Sequence, residues 1–334
     1  MKAALYYGPD DIRCEEVPDP VLADGDVLMR IKACGICGSD LHTYKQGQFE
    51  DLGVPVGNGR IMGHEFAGEV VEVKGGSSDF KPGDRVFCVS TGANAELLSV
   101  PKERTPIMLP IPEDTSFEEA ATIEPLATSL HGVNLATPQD GEIHVVMGTG
   151  IIGLGIIQVL KATSNVKIVA VDISDLRLEV AKQVGADVIL NASKESTVEK
   201  LFSLFGTAEI SFMPGANGMI DTIYDCAGLP MGFEGSSVLE QALTLTKENG
   251  KVVLVAIYEK APTIEHNLIV RKGLSIFGSW AWNLEELAES HQLICAGKID
   301  RKPLISHRFP LEQAKEAYDT QFQAKEAIKV MITP

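Results

Sequence analysis

The hydrophobic rhythm of the chain changes near residue 138. Before that point, residues 2–6, 26–33, 66–74, 84–89 and 95–100 form short apolar-rich runs separated by Gly, Pro and Asp clusters, a spacing that predicts strands and turns. After Pro138-Gln139-Asp140-Gly141 the runs become continuously apolar, at 143–147, 167–171, 187–190, 219–224, 251–256 and 274–278. Helical stretches lie between them, at 153–162 and at 176–184, the latter with Gly185 set to end it. Such alternation predicts an α/β fold, a doubly wound six-stranded parallel sheet whose strands are buried on both faces. Beyond Gly278 the alternation stops: 284–296 and 311–322 read as helices and 327–332 as a strand, which returns the end of the chain to the first domain. The expected divisions are therefore 1–136, 137–278 and 279–334, the first and last belonging together. The stretch 205–218 is hydrophobic but aperiodic and predicts no element.

A length of 334 residues at roughly 150 per domain fits two domains, and 45% hydrophobic residues exclude disorder. With 29 Lys and Arg against 46 Asp and Glu, the net charge of −17 repels nucleic acid and anionic lipid, so small molecules are the expected partners. The uncharged stretch 143–160 is long enough to span a bilayer, but Gly148, Gly150, Gly153 and Gly155 suit a strand, a turn and a helix start instead. Asp10, Asp11, Arg13, Glu15 and Glu16 stand where a signal peptide needs an apolar run, so a cytoplasmic location is expected. The six cysteines are too few and too irregular for a disulfide framework and are expected to stay reduced.

Gly148-Thr149-Gly150-Ile151-Ile152-Gly153 is a G-x-G-x-x-G between an apolar run and a helix. The first glycine permits a tight turn, the second lets a pyrophosphate approach the backbone, and the third lets helix pack on strand. Phosphates would sit on the free N–H groups at the start of the helix. Asp172 follows at the end of the next strand, where a carboxylate can accept from both ribose hydroxyls; beside a 2′-phosphate it would repel, so NAD is favoured over NADP. The candidate cofactor residues are Gly148, Gly150, Ile151, Ile152, Gly153, Asp172 and Arg177.

Cys34-Gly35-Ile36-Cys37 lacks the second cysteine pair of a zinc ribbon and the preceding strand of a thioredoxin-like motif. His64-Glu65-Phe66-Ala67-Gly68 begins like H-E-x-x-H but ends on Gly68, which excludes a zincin. Ala33-Cys34-Gly35-Ile36-Cys37-Gly38-Ser39-Asp40-Leu41-His42, Gly63-His64-Glu65-Phe66-Ala67-Gly68 and Ile123-Glu124-Pro125-Leu126, all ahead of a dinucleotide motif, resemble the medium-chain dehydrogenase/reductase superfamily, in its zinc-dependent alcohol, polyol and threonine dehydrogenase branch. Residues 303–312 also resemble that family's C-terminal segment, so the resemblance runs over nearly the full length.

The resemblance implies a Rossmann sheet inserted in a mostly β GroES-like catalytic domain, with Cys37, His64 and Glu124 as ligands of a catalytic zinc. It makes Glu65 the residue behind the metal that can replace a water ligand, Asp40 the carboxylate that orients His64, and Ser39 and His42 a proton relay. The four-cysteine lobe that follows Gly83-Asp84-Arg85-Val86 in many relatives is reduced to Cys88, which implies one zinc per subunit and no structural zinc. The implied reaction moves a hydride between a secondary alcohol and NAD and yields a ketone. Candidate substrate contacts are Tyr44, Phe49, Leu126, Trp280 and Trp282. Sorbitol dehydrogenases carry an Arg-Tyr pair after the strand that here ends at Trp280; its absence disfavours a long polyol, with threonine-like or sorbitol-like activity kept as alternatives. A zinc-free quinone or enone reductase and a non-catalytic NAD-binding protein are the other readings. The family implies a homodimer or homotetramer formed through residues 274–278.

Overall fold

The short N-terminal runs fold as strands. In the computed structural model, which describes residues 1–47, 59–75, 79–209, 216–228, 235–323 and 326–334, they begin with β1 (Lys2–Gly8), β2 (Asp11–Glu16), β3 (Val27–Gly35), α1 (Gly38–Gln46), β4 (Arg60–Ile61) and β5 (Glu65–Val73). Then come β6 (Arg85–Cys88), β7 (Leu97–Val100), β8 (Leu109–Pro110) and α2 (Phe117–Ala120). The alternating region supplies α3 (Ile123–Ala136), β9 (Ile143–Met147), α4 (Ile151–Thr163), β10 (Lys167–Asp172), α5 (Asp175–Gln183), β11 (Val188–Asn191) and α6 (Thr197–Phe205). It continues with β12 (Ile220–Asp225), α7 (Val238–Leu245), β13 (Thr246–Leu254), α8 (Asn267–Lys272), β14 (Ser275–Gly278) and α9 (Leu284–Cys295). The chain closes with β15 (Ile305–Pro310), α10 (Ala314–Gln323) and β16 (Lys329–Thr333).

Two units result: Met1–Glu124 with Leu287–Pro334, and Pro125–Glu286. In the first, β2-β1-β4 make a small sheet, and a seven-stranded sheet runs β15-β16-β3-β5-β6-β8 with β7 on β3. The pairing of β16 with β3 is antiparallel and sets Met331 opposite Gly35, so the end of the chain completes the sheet that its beginning starts. In the second unit six strands run β11-β10-β9-β12-β13-β14, all parallel, around a core that includes Val145, Val169, Ile223 and Val252. The expected α/β class, a doubly wound sheet inserted in a mostly β domain, is the observed one.

Some details differ from expectation. The units part at Glu124 and Glu286 rather than at 136 and 278, because α3 goes almost whole with the parallel sheet and α9 starts there. Helix α3 was not anticipated, since Pro125 and Gly132 interrupt its pattern; proline is tolerated in a first helical turn, where its missing N–H has no partner to lose. Of the aperiodic stretch, residues 210–215 lie outside the described residues, and Ala208 pairs with Asn217 in an isolated bridge. No helix among the described residues is long and apolar enough to cross a membrane.

Candidate functional site

In the first unit the motif residues converge. Gly63 has φ +86, and a Cβ there would stand 2.6 Å from Asn94 Oδ1 and 2.7 Å from Cys34 Sγ; only glycine makes the turn that delivers His64 and Glu65 to the start of β5. Cys37 is the N-cap of α1, and its N–H donates to Asp40 Oδ2 at 3.2 Å. Asp40 Oδ1 faces His64 Nδ1 at 3.7 Å, a charge contact beyond hydrogen-bond length that orients the ring. Cys37, His64 and Glu65 each offer one ligand atom, and these three atoms lie within 4.8 Å of one another, the one such trio among the described residues.

A zinc ion at ~2.0–2.3 Å from each donor would hold such atoms roughly 3–4 Å apart, and a thiolate, an imidazole and a carboxylate are donors it accepts. The electrostatics agree. Burial works against a charged His64, yet Asp40 and Cys37 outweigh it and hold the imidazole well above its usual value. Asp40 in turn is held below its usual range, since the His64 charge prevails over burial. The pocket attracts positive charge, and the residues present fit a divalent cation.

Glu124 is half-buried and is not part of the trio; its charge reaches Lys329. Ser39 and His42 are half-buried on α1. Two buried cations that sequence reasoning missed are Lys329, which contacts Glu65, and Arg301. Lys329 is fully buried, donates to the Ile36 carbonyl at 2.8 Å and forms an ion pair with Glu65 Oε2. It reaches Glu65 by crossing β3 at Gly35, the residue opposite Glu65, where a Cβ would stand 2.5 Å from Lys329 Cε and 2.6 Å from Glu65 Oε2. Arg301 is also fully buried, its Nε donating to Thr122 Oγ1 at 3.1 Å. Burial pulls its guanidinium down to about 9 against the opposing charge of Glu65.

The substrate candidates scatter. Tyr44 is a correction: it is fully buried, packed edge-on against Tyr318 at 5.2 Å, and its hydroxyl donates to Asp319 at 2.8 Å, so it is core rather than pocket wall. Leu126 is fully buried on α3, Trp280 is 70% exposed, Trp282 is half-buried, and Phe49 lies outside the described residues.

In the second unit, Gly148 has φ +96, and a Cβ on Gly153 would stand 1.9 Å from the Gly148 carbonyl oxygen, so these two glycines are fixed by turn and packing. A Cβ on Gly150, the N-cap of α4, would meet nothing within 4 Å, so the space on that side of the residue before Ile151 and Ile152 is open. That is room for a pyrophosphate. Asp172 is buried at the end of β10. Oδ2 accepts from Thr149 N at 2.6 Å and Thr149 Oγ1 at 2.9 Å, and Oδ1 from Ile173 N at 2.8 Å and Ser174 N at 2.9 Å. Arg177, half-buried on α5, is pulled down by burial while the Asp172 charge opposes.

Comparison with known proteins is consistent along the chain. The family description "Alcohol dehydrogenase GroES-like domain" matches residues 23–112, and "Zinc-binding dehydrogenase" matches residues 152–296. (R,R)-butanediol dehydrogenase of Bacillus subtilis (strain 168) is 31% identical over 100% of both chains. Sorbitol dehydrogenase of Homo sapiens is 29% identical, covering 98% of this chain and 94% of its own. The crystal structure of 2R,3R-butanediol dehydrogenase from Bacillus subtilis superposes with a TM-score of 0.84 at 29% identity, over 100% of this chain and 99% of that one.

Proposed function

The chain belongs to the zinc-dependent medium-chain dehydrogenase/reductase superfamily, and we propose that it oxidises a short secondary alcohol or vicinal diol to the ketone with NAD as hydride acceptor. The observation that carries this reading is the approach of Cys37, His64 and Glu65 to within 4.8 Å. These three would hold one zinc ion, and the resemblance adds Glu124 to the ligand set. Bound zinc supplies a Lewis acid that polarises a substrate oxygen. Bound NAD supplies the hydride acceptor.

The protein's own side chains do the rest. Asp40 fixes the His64 ring, so the imidazole meets the metal without losing rotamer freedom at that moment. Ser39 and His42, three residues apart on α1, carry the substrate hydroxyl proton outward, the hydroxyl and the imidazole each able both to accept and to donate it. Asp172 favours NAD. Its four lone-pair sites are occupied by protein donors, so a ribose hydroxyl takes the place of Thr149 Oγ1, the one donor among the four that is not backbone. Preference for a short substrate rests on the absence, after Trp280, of the Arg-Tyr pair that sorbitol dehydrogenases carry, and on the butanediol relative.

The test measures zinc and NADH production together, across butane-2,3-diol, butan-2-ol, sorbitol and L-threonine. The expectation is one zinc per chain, turnover highest on the diol, and Cys37→Ala and His64→Ala variants that lose zinc and lose at least ~10³-fold in kcat/KM while still binding NADH. Full turnover in zinc-stripped protein would overturn the reading.

A further inference from the structure

The two segments that carry Cys37 and His64 both meet one buried side chain from the far end of the sequence. Tyr318, on α10, is fully buried, and its ring and its hydroxyl serve different segments. The ring packs edge-on against that of Tyr44, with 5.2 Å between centroids and 64° between planes. Tyr44 belongs to α1, the helix that Cys37 caps and that carries Asp40 in its first turn. The Tyr318 hydroxyl accepts from Asn94 Nδ2 at 2.8 Å. Asn94, 1% exposed, backs the turn that delivers His64. Its N–H donates to the Met62 carbonyl at 3.0 Å, and the N–H groups of Gly92 and Ala93 donate to the Gly63 carbonyl at 3.0 and 3.1 Å. Asn94 Oδ1 is the atom that a Cβ on Gly63 would strike at 2.6 Å. That oxygen accepts from no donor among the described residues, so the bond to Tyr318 alone holds the side-chain amide in place.

We propose that Tyr318 is a positioning residue of the metal site: its ring places the α1 segment that presents Cys37, and its hydroxyl, through Asn94, places the Gly63 turn that presents His64. The inference rests on the reading of Cys37, His64 and Glu65 as a zinc site. A metal ion tolerates little error in donor spacing, about 0.2 Å from its preferred distances. Residues that hold ligands from outside the coordination shell accordingly tune metal affinity by about 10–100-fold. Losing the hydroxyl leaves the Asn94 amide buried with no partner at either end, which is costly. The chain escapes that cost by moving the amide, and the Gly63 turn moves with it through the Met62 and Gly63 carbonyls. A tyrosine that only filled the core would act on stability, equally with and without metal.

The experiment follows zinc release from purified enzyme into excess chelator, thermal melting of the zinc-bound and stripped forms, and the visible absorption of cobalt-substituted protein. Tyr318→Phe keeps the ring and deletes the hydroxyl; it is expected to release zinc roughly tenfold faster than the unsubstituted enzyme. It should also narrow the gap in Tm between bound and stripped protein and shift the cobalt bands. Asn94→Ala is expected to do the same, and the double variant to release zinc no faster than the faster single one, because both remove one contact. Tyr318→Leu, which lacks the ring as well, is expected to release zinc faster than Tyr318→Phe, and equal release overturns the part assigned to the ring. Unchanged release or unmoved cobalt bands in Tyr318→Phe overturn the inference, as does a double variant whose effects add. Tyr318→Phe decides alone if Asn94→Ala does not fold. Unsubstituted protein that takes up no zinc refutes the functional reading and this inference with it; zinc uptake with equal Tm losses in the bound and stripped forms of Tyr318→Phe refutes this inference alone.

Discussion

Gly35 is glycine for reasons of space, not of backbone conformation. Its φ is not positive, so an L residue could adopt its geometry, but a Cβ would land 2.5 Å from Lys329 Cε and 2.6 Å from Glu65 Oε2. Both side chains are buried and have nowhere to withdraw. Gly35→Ala is therefore expected to destabilise by about 1–3 kcal/mol, the usual scale of overpacking, and to disturb zinc retention. Gly38→Ala, three residues on and exposed with nothing within 4 Å of its Cβ, is the control, expected to match the unsubstituted protein in urea melts. An equal midpoint shift in both variants would refute the spatial account. The same comparison shows what was legible at this scale. Cys37, His64, Glu65 and Asp40 stand in short contiguous motifs, so the sequence announces them together. Lys329 comes to Glu65 from more than two hundred residues away, through strand pairing, and no local rhythm marks it.

Elements were legible where one physical rule acted alone. The central strands β9, β10 and β12 are buried on both faces, so their apolar runs fall within a few residues of the observed strands; β9 coincides with 143–147. Strand β13 starts at Thr246, five residues before the apolar run at 251, because Lys247, Glu248 and Asn249 carry the pairing past a register shift opposite Ile220 and Thr222. Helix α3 hides behind Pro125 and Gly132. The join of β9 to β12 holds a further consequence. His144, fully buried on β9, bonds through Nδ1 to Tyr224 Oη at 3.1 Å and through Nε2 to Glu142 at 3.0 Å, with Asp221 and Lys251 also acting on it. Burial lowers its pKa below the ordinary 6.5, the nearby Glu142 opposing. An unfolded histidine then takes up its proton at a pH where the folded one does not, so stability is full above about 6.5 and falls as the pH drops below it. His144→Gln is expected to flatten the decline in unfolding free energy between pH 6.5 and 5, a slope of up to ~1.4 kcal/mol per pH unit for one proton. Identical slopes for both proteins in urea titrations would exclude His144 as a source.

At the scale of the molecule, the return of residues after 286 to the first unit was legible because the alternating rhythm stops after Gly278, and β15 and β16 complete the sheet begun by β3. The unit boundaries were less so, since α3 and α9 each run across one and periodicity does not say to which side a helix packs. The six-stranded sheet leaves a problem at its margin. Among the described residues β14 pairs with β13 on one side only, and Val270 and Trp280 beside it are 74% and 70% exposed. An edge of that kind invites another strand, and the expected occupant is β14 of a second copy, which would extend the sheet symmetrically. Two copies each carrying −17 repel, so edge pairing must overcome a like-charge penalty that salt screens. Association should therefore tighten as sodium chloride rises from about 20 to 200 mM, the reverse of an assembly held by ion pairs. Phe277→Lys, on the edge strand, adds a charge where the copies would meet and is expected to yield monomer at micromolar concentration in sedimentation velocity, with NADH binding retained. Unsubstituted protein that sediments as a monomer across that salt range, or a Phe277→Lys variant that stays associated, would place the contact elsewhere and leave β14 protected by its short length alone.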